Sequence, residues 1–405
     1  FLTRYKIFWK MKNSSFYDIP GSLDKSVVSS THKATYLSKT GNFNISLKDL
    51  KNSRLNISLS LEDKKILNKI TSGIEKNNKL PFSWTPQEDF YCNQIKDLNK
   101  KILYLIYRYK FKVYPHKRIL SDFPIHVLLE PAGICNLRCT MCYQSDKTFT
   151  GDNVKKNSNK QFMGTMDYNL FTKVIDECDA EGCSAISLGS RGEPMLNKNF
   201  NKMLKYINEK KNFFDVKINS NGSALNEKNC HAILSSNVNI LVISCEGEYK
   251  ELYEKIRLGG NFDKLVENVK LLKNIREKHY KDSKLEIRIS GVLFHKEQKR
   301  EPFLDFWKNY VDVVSYVKAQ IRWDTYNNEI LEKNNECDFL WEKLYVWWDG
   351  ITNPCDEDYK SMLSPGNVKY DTIKSIWKSQ KLQNLRDLHK NGKRNTILPC
   401  DRCGV

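Results

Sequence analysis

At 405 residues the chain is long enough for one large α/β domain with appendages, and it can bury a core without covalent staples. Its twelve cysteines sit partly in close clusters within a Lys-rich chain of formal charge +18, which argues against a secreted disulfide scaffold and for cytoplasmic, metal-binding thiols. No run reaches the roughly 18 apolar residues of a spanning helix: the nearest, KILYLIYRYKFKVY at 101–114, is broken by Arg108, Lys110 and Lys112, so no transmembrane segment is expected.

Residues 1–60 are rich in Ser, Asn and Lys, lack periodicity and read as loop-like. Two helical patterns follow, 61–77 opened by Ser60 as N-cap and 85–110 opened by Thr85 with Pro86 at the first helical position. Together residues 1–120 form an N-terminal extension. From Ile125 short apolar runs alternate with amphipathic helices. The strand candidates are 125–131, 185–190, 215–220, 240–246, 285–294 and 313–319. Six β-α units in series predict a parallel sheet over 121–325, open or partly closed into a barrel, with chemistry at the carboxyl ends of the strands. Residues 326–405 read as a small, separate lobe. In it an Asp349-Gly350 turn joins two apolar runs as a hairpin, and 372–392 reads as one helix. The chain opens on Phe1 and stops just past a Cys-x-x-Cys pair, so either end is allowed to be incomplete.

The stretch GICNLRCTMCYQSD at 133–146 follows the first barrel strand and places Cys135, Cys139 and Cys142 in the spacing CxxxCxxC. A structural zinc site is closed by four ligands, whereas three thiolates leave a metal position open for an outside ligand. This pattern resembles the radical S-adenosylmethionine (SAM) superfamily over about residues 120–320. The resemblance implies a partial (β/α)6 barrel and a three-cysteine [4Fe-4S] cluster whose open iron chelates SAM. It also implies reductive cleavage of SAM to a 5'-deoxyadenosyl radical that abstracts a substrate hydrogen. Met141 is the apolar residue before the last cysteine. In SRGEP, Gly192 and Glu193 match the Gly-Gly-Glu segment that holds the SAM ammonium, while Arg191 replaces the usual first glycine. Ser220 and Asn221 end the third strand near the expected ribose, and Ser244 and Glu246 end the fourth. Arg257 is a candidate for the SAM carboxylate or ribose, or a solvated helix arginine. Val292 and Leu293 end the fifth strand and are candidates for the adenine wall, or for core.

Cys337, Cys355, Cys400 and Cys403 form the second set. With Gly350, the Gly-Asn pair at 366–367 and the Ile-Trp pair at 376–377, they resemble the SPASM/twitch extension of radical SAM enzymes. The twitch form, with one auxiliary four-cysteine [4Fe-4S] cluster, fits best; a four-thiolate zinc site is the rival. Four thiolates fill every iron, so such a cluster passes electrons. That favours two-electron oxidation of a sugar, cyclitol or related alcohol, with Arg322 as the candidate to take or stabilise the hydroxyl proton. Two alternatives stand beside it: a maturase acting on a ribosomal peptide, and an inactive iron-sulfur or electron-transfer protein with Arg191 as its warning sign. The expected partners are a small-molecule or peptide substrate and a low-potential donor such as flavodoxin or ferredoxin. The positive charge suits an anionic partner, yet no recognised RNA-binding motif accompanies it, so nucleic acid is not expected. Cys92, Cys178, Cys183, Cys230 and Cys245 are expected to pack as small hydrophobes, and His126 and His295 to be packed or solvated.

Overall fold

The computed structural model describes residues 26–29, 46, 50, 59–151, 157–293, 295–318 and 324–405. In chain order the strands are β1 Ser26–Ser29, β2 His126–Leu129, β3 Arg138–Cys139, β4 Ala185–Leu188, β5 Asp215–Ser220, β6 Ile240–Ser244, β7 Arg257–Leu258, β8 Glu286–Leu293, β9 Val313–Lys318, β10 Lys343–Val346 and β11 Thr352–Asn353. Nine of them form one sheet in the order β1-β9-β8-β6-β5-β4-β2-β10-β11. Within it β2, β4, β5, β6, β8 and β9 are parallel, each beside the next in the chain. These are the six expected β-α units.

Alternate residues of these strands, Val127, Leu129, Ile186, Leu188, Val216, Ile218, Leu241, Ile243, Ile287, Ile289 and Val314, join the helices in one core. A strand's side chains point to opposite faces in turn, so Leu128, Ser187, Asn219, Ser244, Arg288 and Ser290 face the inside of the barrel. The five single cysteines are buried and free, as expected of packing residues. His126 is half-buried against Ser187, 2.9 Å away, and His295 is half-buried with Nδ1 accepting from the Glu297 N–H.

The helix Leu61–Asn77 begins where Ser60 accepts the N–H of Asp63. The pattern over 85–110 is two helices, not one. Pro86–Gln94 carries a capping box between Thr85 and Glu88, and Leu98–Val113 starts afresh because the Asp97 side chain accepts the N–H of Lys100. These helices cover the end of the barrel where its strands begin. They share a core with Ile125, Ala185 and Phe214, the Tyr107 hydroxyl donates to Asp215 at 2.5 Å, and the Tyr91 hydroxyl donates to the Asn239 carbonyl. The cysteine loop lies at the opposite end, after β2.

The C-terminal lobe does not stand apart. Its β10 adds to the barrel sheet parallel to β2, from Lys343↔His126 to Val346↔Leu129, and so covers what would be an open sheet edge. The β10–β11 hairpin forms as read, with Gly350 at φ +85, a backbone conformation that favours glycine. The expected helix at 372–392 is divided into Ile373–Trp377 and Gln380–Lys390, because Ser379 caps the second piece through the N–H of Leu382. Among the described residues no helix is long and apolar enough to cross a membrane.

Candidate functional site

The loop leaving β2 carries Cys135, Cys139 and Cys142, and a two-residue ladder fixes it. Arg138 and Cys139 pair antiparallel with Leu258 and Arg257. Arg257 is buried, not solvated, with its guanidinium gripped by both carboxylate oxygens of Glu246. Its remaining amino group donates to Cys139 Sγ at 3.7 Å. The N–H of Leu137 and the side-chain amide of Asn221 point at Cys135 Sγ, at 3.4 and 3.8 Å. The N–H of Gln144 reaches Cys142 Sγ at 3.5 Å. Every one of the three sulfurs therefore faces a donor, the environment a thiolate needs. Burial alone works the other way, pushing Cys135 up to about 12 and raising Cys139 and Cys142 too. A cation that takes these thiols must displace their protons and supply the charge that burial withholds.

Glu193 sits beside this loop, 1% exposed. Its carboxylate accepts from the Ser220 hydroxyl at 2.9 Å and from the N–H of Asn221 at 2.7 Å. Burial pushes the carboxyl up to about 7 in spite of these donors. Gly192 is required by close approach: a Cβ there would lie 2.3 Å from the Ala132 carbonyl oxygen and 2.4 Å from that of Ile134. Arg191 turns away from the cysteines. It pairs with Glu130, donates to the Tyr359 carbonyl at 2.8 Å and lies 4.0 Å from the Trp347 ring centroid.

The structure thus brings Cys135, Cys139, Cys142, Gly192, Glu193, Ser220, Asn221 and Arg257 together. Met141 and Ser244 are half-buried at the loop and at the end of β6. Leu293 packs against the main core, on the side facing the helices, and Arg322 lies outside the described residues. Sequence reasoning missed Asn136, which accepts from the Asn221 amide at 3.0 Å, and Gln144, which donates to the carbonyls of Gly133 and Arg191. Neither carries a motif signal. Glu130, in the run IHVLLEP, was legible only as a charge at a strand end.

In the lobe Cys337, Cys355, Cys400 and Cys403 open into one cavity with His389 and Arg394. Arg394 is buried and donates to the carbonyls of Cys400, Cys403 and Val405, which gathers the cysteine-bearing end of the chain around the cavity. Four thiolates on a single zinc would sit about 2.3 Å from one point. The four cysteines line one shared cavity, and four thiolates are a donor set that either a zinc ion or an iron-sulfur cube takes.

Comparison with known proteins matches residues 129–306 to the radical SAM superfamily and residues 337–404 to an iron-sulfur cluster-binding domain. Among curated proteins, the chain is 28% identical over 122 residues to the tungsten-containing aldehyde ferredoxin oxidoreductase cofactor-modifying protein of Pyrococcus furiosus, 30% of either chain. It is 30% identical over 162 residues to the cysteine-type anaerobic sulfatase-maturating enzyme of Clostridium novyi, 36% of this chain and 40% of that one. The matches span less than half the length of these relatives. SuiB of Streptococcus suis, solved with S-adenosylmethionine, superposes with a TM-score of 0.52 over 86% of this chain and 88% of its own, at 13% identity, a likeness of fold.

Proposed function

Given that the chain belongs to the radical SAM superfamily and carries a C-terminal iron-sulfur cluster-binding domain, we propose that it oxidises its substrate by two electrons. The observation that carries this reading is the convergence of four lobe cysteines on one cavity, which leaves no ligand position open and suits an electron acceptor. When bound, SAM on the barrel [4Fe-4S] cluster would supply the radical that removes a substrate hydrogen atom, and the auxiliary iron-sulfur cluster would take up the second electron.

The chain's own residues bind and aim. Cys135, Cys139 and Cys142 hold the barrel cluster and Arg257, braced by Glu246, fixes Cys139 from the side. Glu193 receives the SAM ammonium, with Ser220 and Asn221 holding its carboxylate in place. Gly192 lets the backbone close on the loop at 132–134. Arg322 is kept as the residue that stabilises the negative charge left on the substrate oxygen when its hydroxyl gives up the proton, since a guanidinium cannot take the proton itself. A flavodoxin- or ferredoxin-type donor is kept as the electron source.

Two substrate classes follow from the sequence, a sugar or cyclitol alcohol and a residue of a peptide. We place the peptide first. The Clostridium novyi relative is a maturating enzyme, a mycofactocin maturase of Mycobacterium ulcerans is 24% identical over 166 residues, and SuiB has been solved with its precursor peptide. The test is 5'-deoxyadenosine formation by the reduced, reconstituted enzyme with serine- or cysteine-containing peptides, and separately with an aminocyclitol. Peptide-dependent formation with a product lighter by two hydrogens supports the reading. The same result with the aminocyclitol alone would move the substrate to the alcohol class.

A further inference from the structure

His389 belongs to the helix Gln380–Lys390, is 1% exposed and lines the four-cysteine cavity. The backbone N–H of Cys337 donates to its Nδ1 at 3.4 Å. An Nδ1 that accepts carries no proton, so the ring's hydrogen is on Nε2. That Nε2 is fully buried and has no hydrogen-bond partner among the described residues. A buried donor left without an acceptor forfeits its hydration for nothing, and native folds rarely keep one. The cavity that His389 lines is walled by the four cysteines, whose sulfurs are hydrogen-bond acceptors.

We propose that His389 donates through Nε2–H to a sulfur of the cluster held by Cys337, Cys355, Cys400 and Cys403, and thereby raises its reduction potential. The inference rests on the reading of the lobe as an iron-sulfur site. A reduced cluster carries one more negative charge, and a donor aimed at its sulfurs stabilises that form more than the oxidised one. Arg394, whose cation lines the same cavity while its N–H groups serve backbone carbonyls, acts in the same sense over a longer range. His389 adds a directed hydrogen bond, and the lobe becomes a better electron acceptor.

The test uses the full chain with Cys135→Ala/Cys139→Ala/Cys142→Ala, which leaves only the lobe site. Its iron and sulfide content checks the underlying reading separately: no lobe iron sinks that reading itself. With iron present, pulsed EPR of the reduced protein grown on 15N-histidine is expected to show one weak nitrogen coupling. No coupling, or the strong coupling of a directly bound nitrogen, overturns the inference. His389→Phe is expected to lose the coupling and lower the potential, and His389→Gln, which keeps an N–H donor, to stay closer to the parent. Equal potentials in all three also overturn it. Should His389→Phe fail to hold iron, the labelled parent protein decides alone.

Discussion

Arg191 and Glu130 form a two-pronged ion pair at 2.7 and 2.6 Å, with both side chains at most 2% exposed. Glu130 follows β2 and Arg191 follows the neighbouring β4, so the pair ties two barrel strands together at their carboxyl ends. The third guanidinium arm reaches the lobe at Tyr359. Next door, Tyr143, the residue after Cys142, stacks on the Tyr359 ring with centroids 4.9 Å apart. The residue that departs from the family's glycine pattern is thus turned into the barrel–lobe contact, while Gly192 and Glu193 keep their places toward the cysteines.

Removing one partner of such a pair strands a buried charge. Arg191→Met is expected to cost about 3–5 kcal/mol, read as a shift in denaturant unfolding of the cluster-loaded protein. Arg191→Lys should recover only part of this, because an ammonium cannot serve two carboxylate oxygens and a carbonyl in one plane. Full stability in Arg191→Met would contradict the account of the contact.

Arg257→Met leaves Glu246 buried as an unpaired anion and removes a donor from Cys139 Sγ. Loss of a residue supporting a metal ligand costs roughly 10- to 100-fold in metal affinity or activity. The expected outcome is a matching fall in SAM cleavage, with the barrel cluster lost before the lobe cluster on titration with an iron chelator.

Glu193 makes stability depend on pH. Burial, the largest cause, raises its carboxyl from 4.5 to about 7. The folded protein therefore holds this proton more tightly than the unfolded chain. Its contribution is fully present below about pH 4.5 and is lost as pH rises through about 7, roughly 3 kcal/mol in all. In cluster-free protein, Glu193→Gln should remove that decline, as measured by urea unfolding across the interval. An unchanged slope would show that Glu193 does not titrate there.

At the opposite end of the barrel, Tyr107→Phe removes the hydroxyl that donates to Asp215. It should loosen the N-terminal helices by about 1 kcal/mol and leave 5'-deoxyadenosine formation unchanged, since these helices do not approach the cysteine loop. A loss of activity at full cluster content would give the extension a part in the site.

What was legible in the sequence is what is local in the chain. CxxxCxxC is readable because one short loop must supply three ligands, and the six strands because their apolar runs recur between amphipathic helices. Ser60 and Thr85 announced helix starts through their own side chains, yet Asp97 and Ser379, equally good caps, were hidden inside continuous helical periodicity. The contacts that cross the fold left no trace. Nothing near Lys343 says that β10 will lie beside His126, nothing near Arg191 names Glu130, and nothing marks the one histidine in helix Gln380–Lys390 as facing four thiols. Arg257 read as evenly balanced between surface and site because its partner Glu246 lies on another element. Burial, which decides between those readings, is a property of the assembled barrel.

The most direct test of the central claim, that two iron-sulfur sites work together in one chain, is iron, acid-labile sulfide and zinc per chain after anaerobic reconstitution. The intact protein is compared with the Cys135→Ala/Cys139→Ala/Cys142→Ala variant. The account predicts about eight irons falling to about four, with no zinc. About four irons and one zinc in the intact protein, falling to almost no iron in the variant, would contradict it and remove the lobe as an electron acceptor.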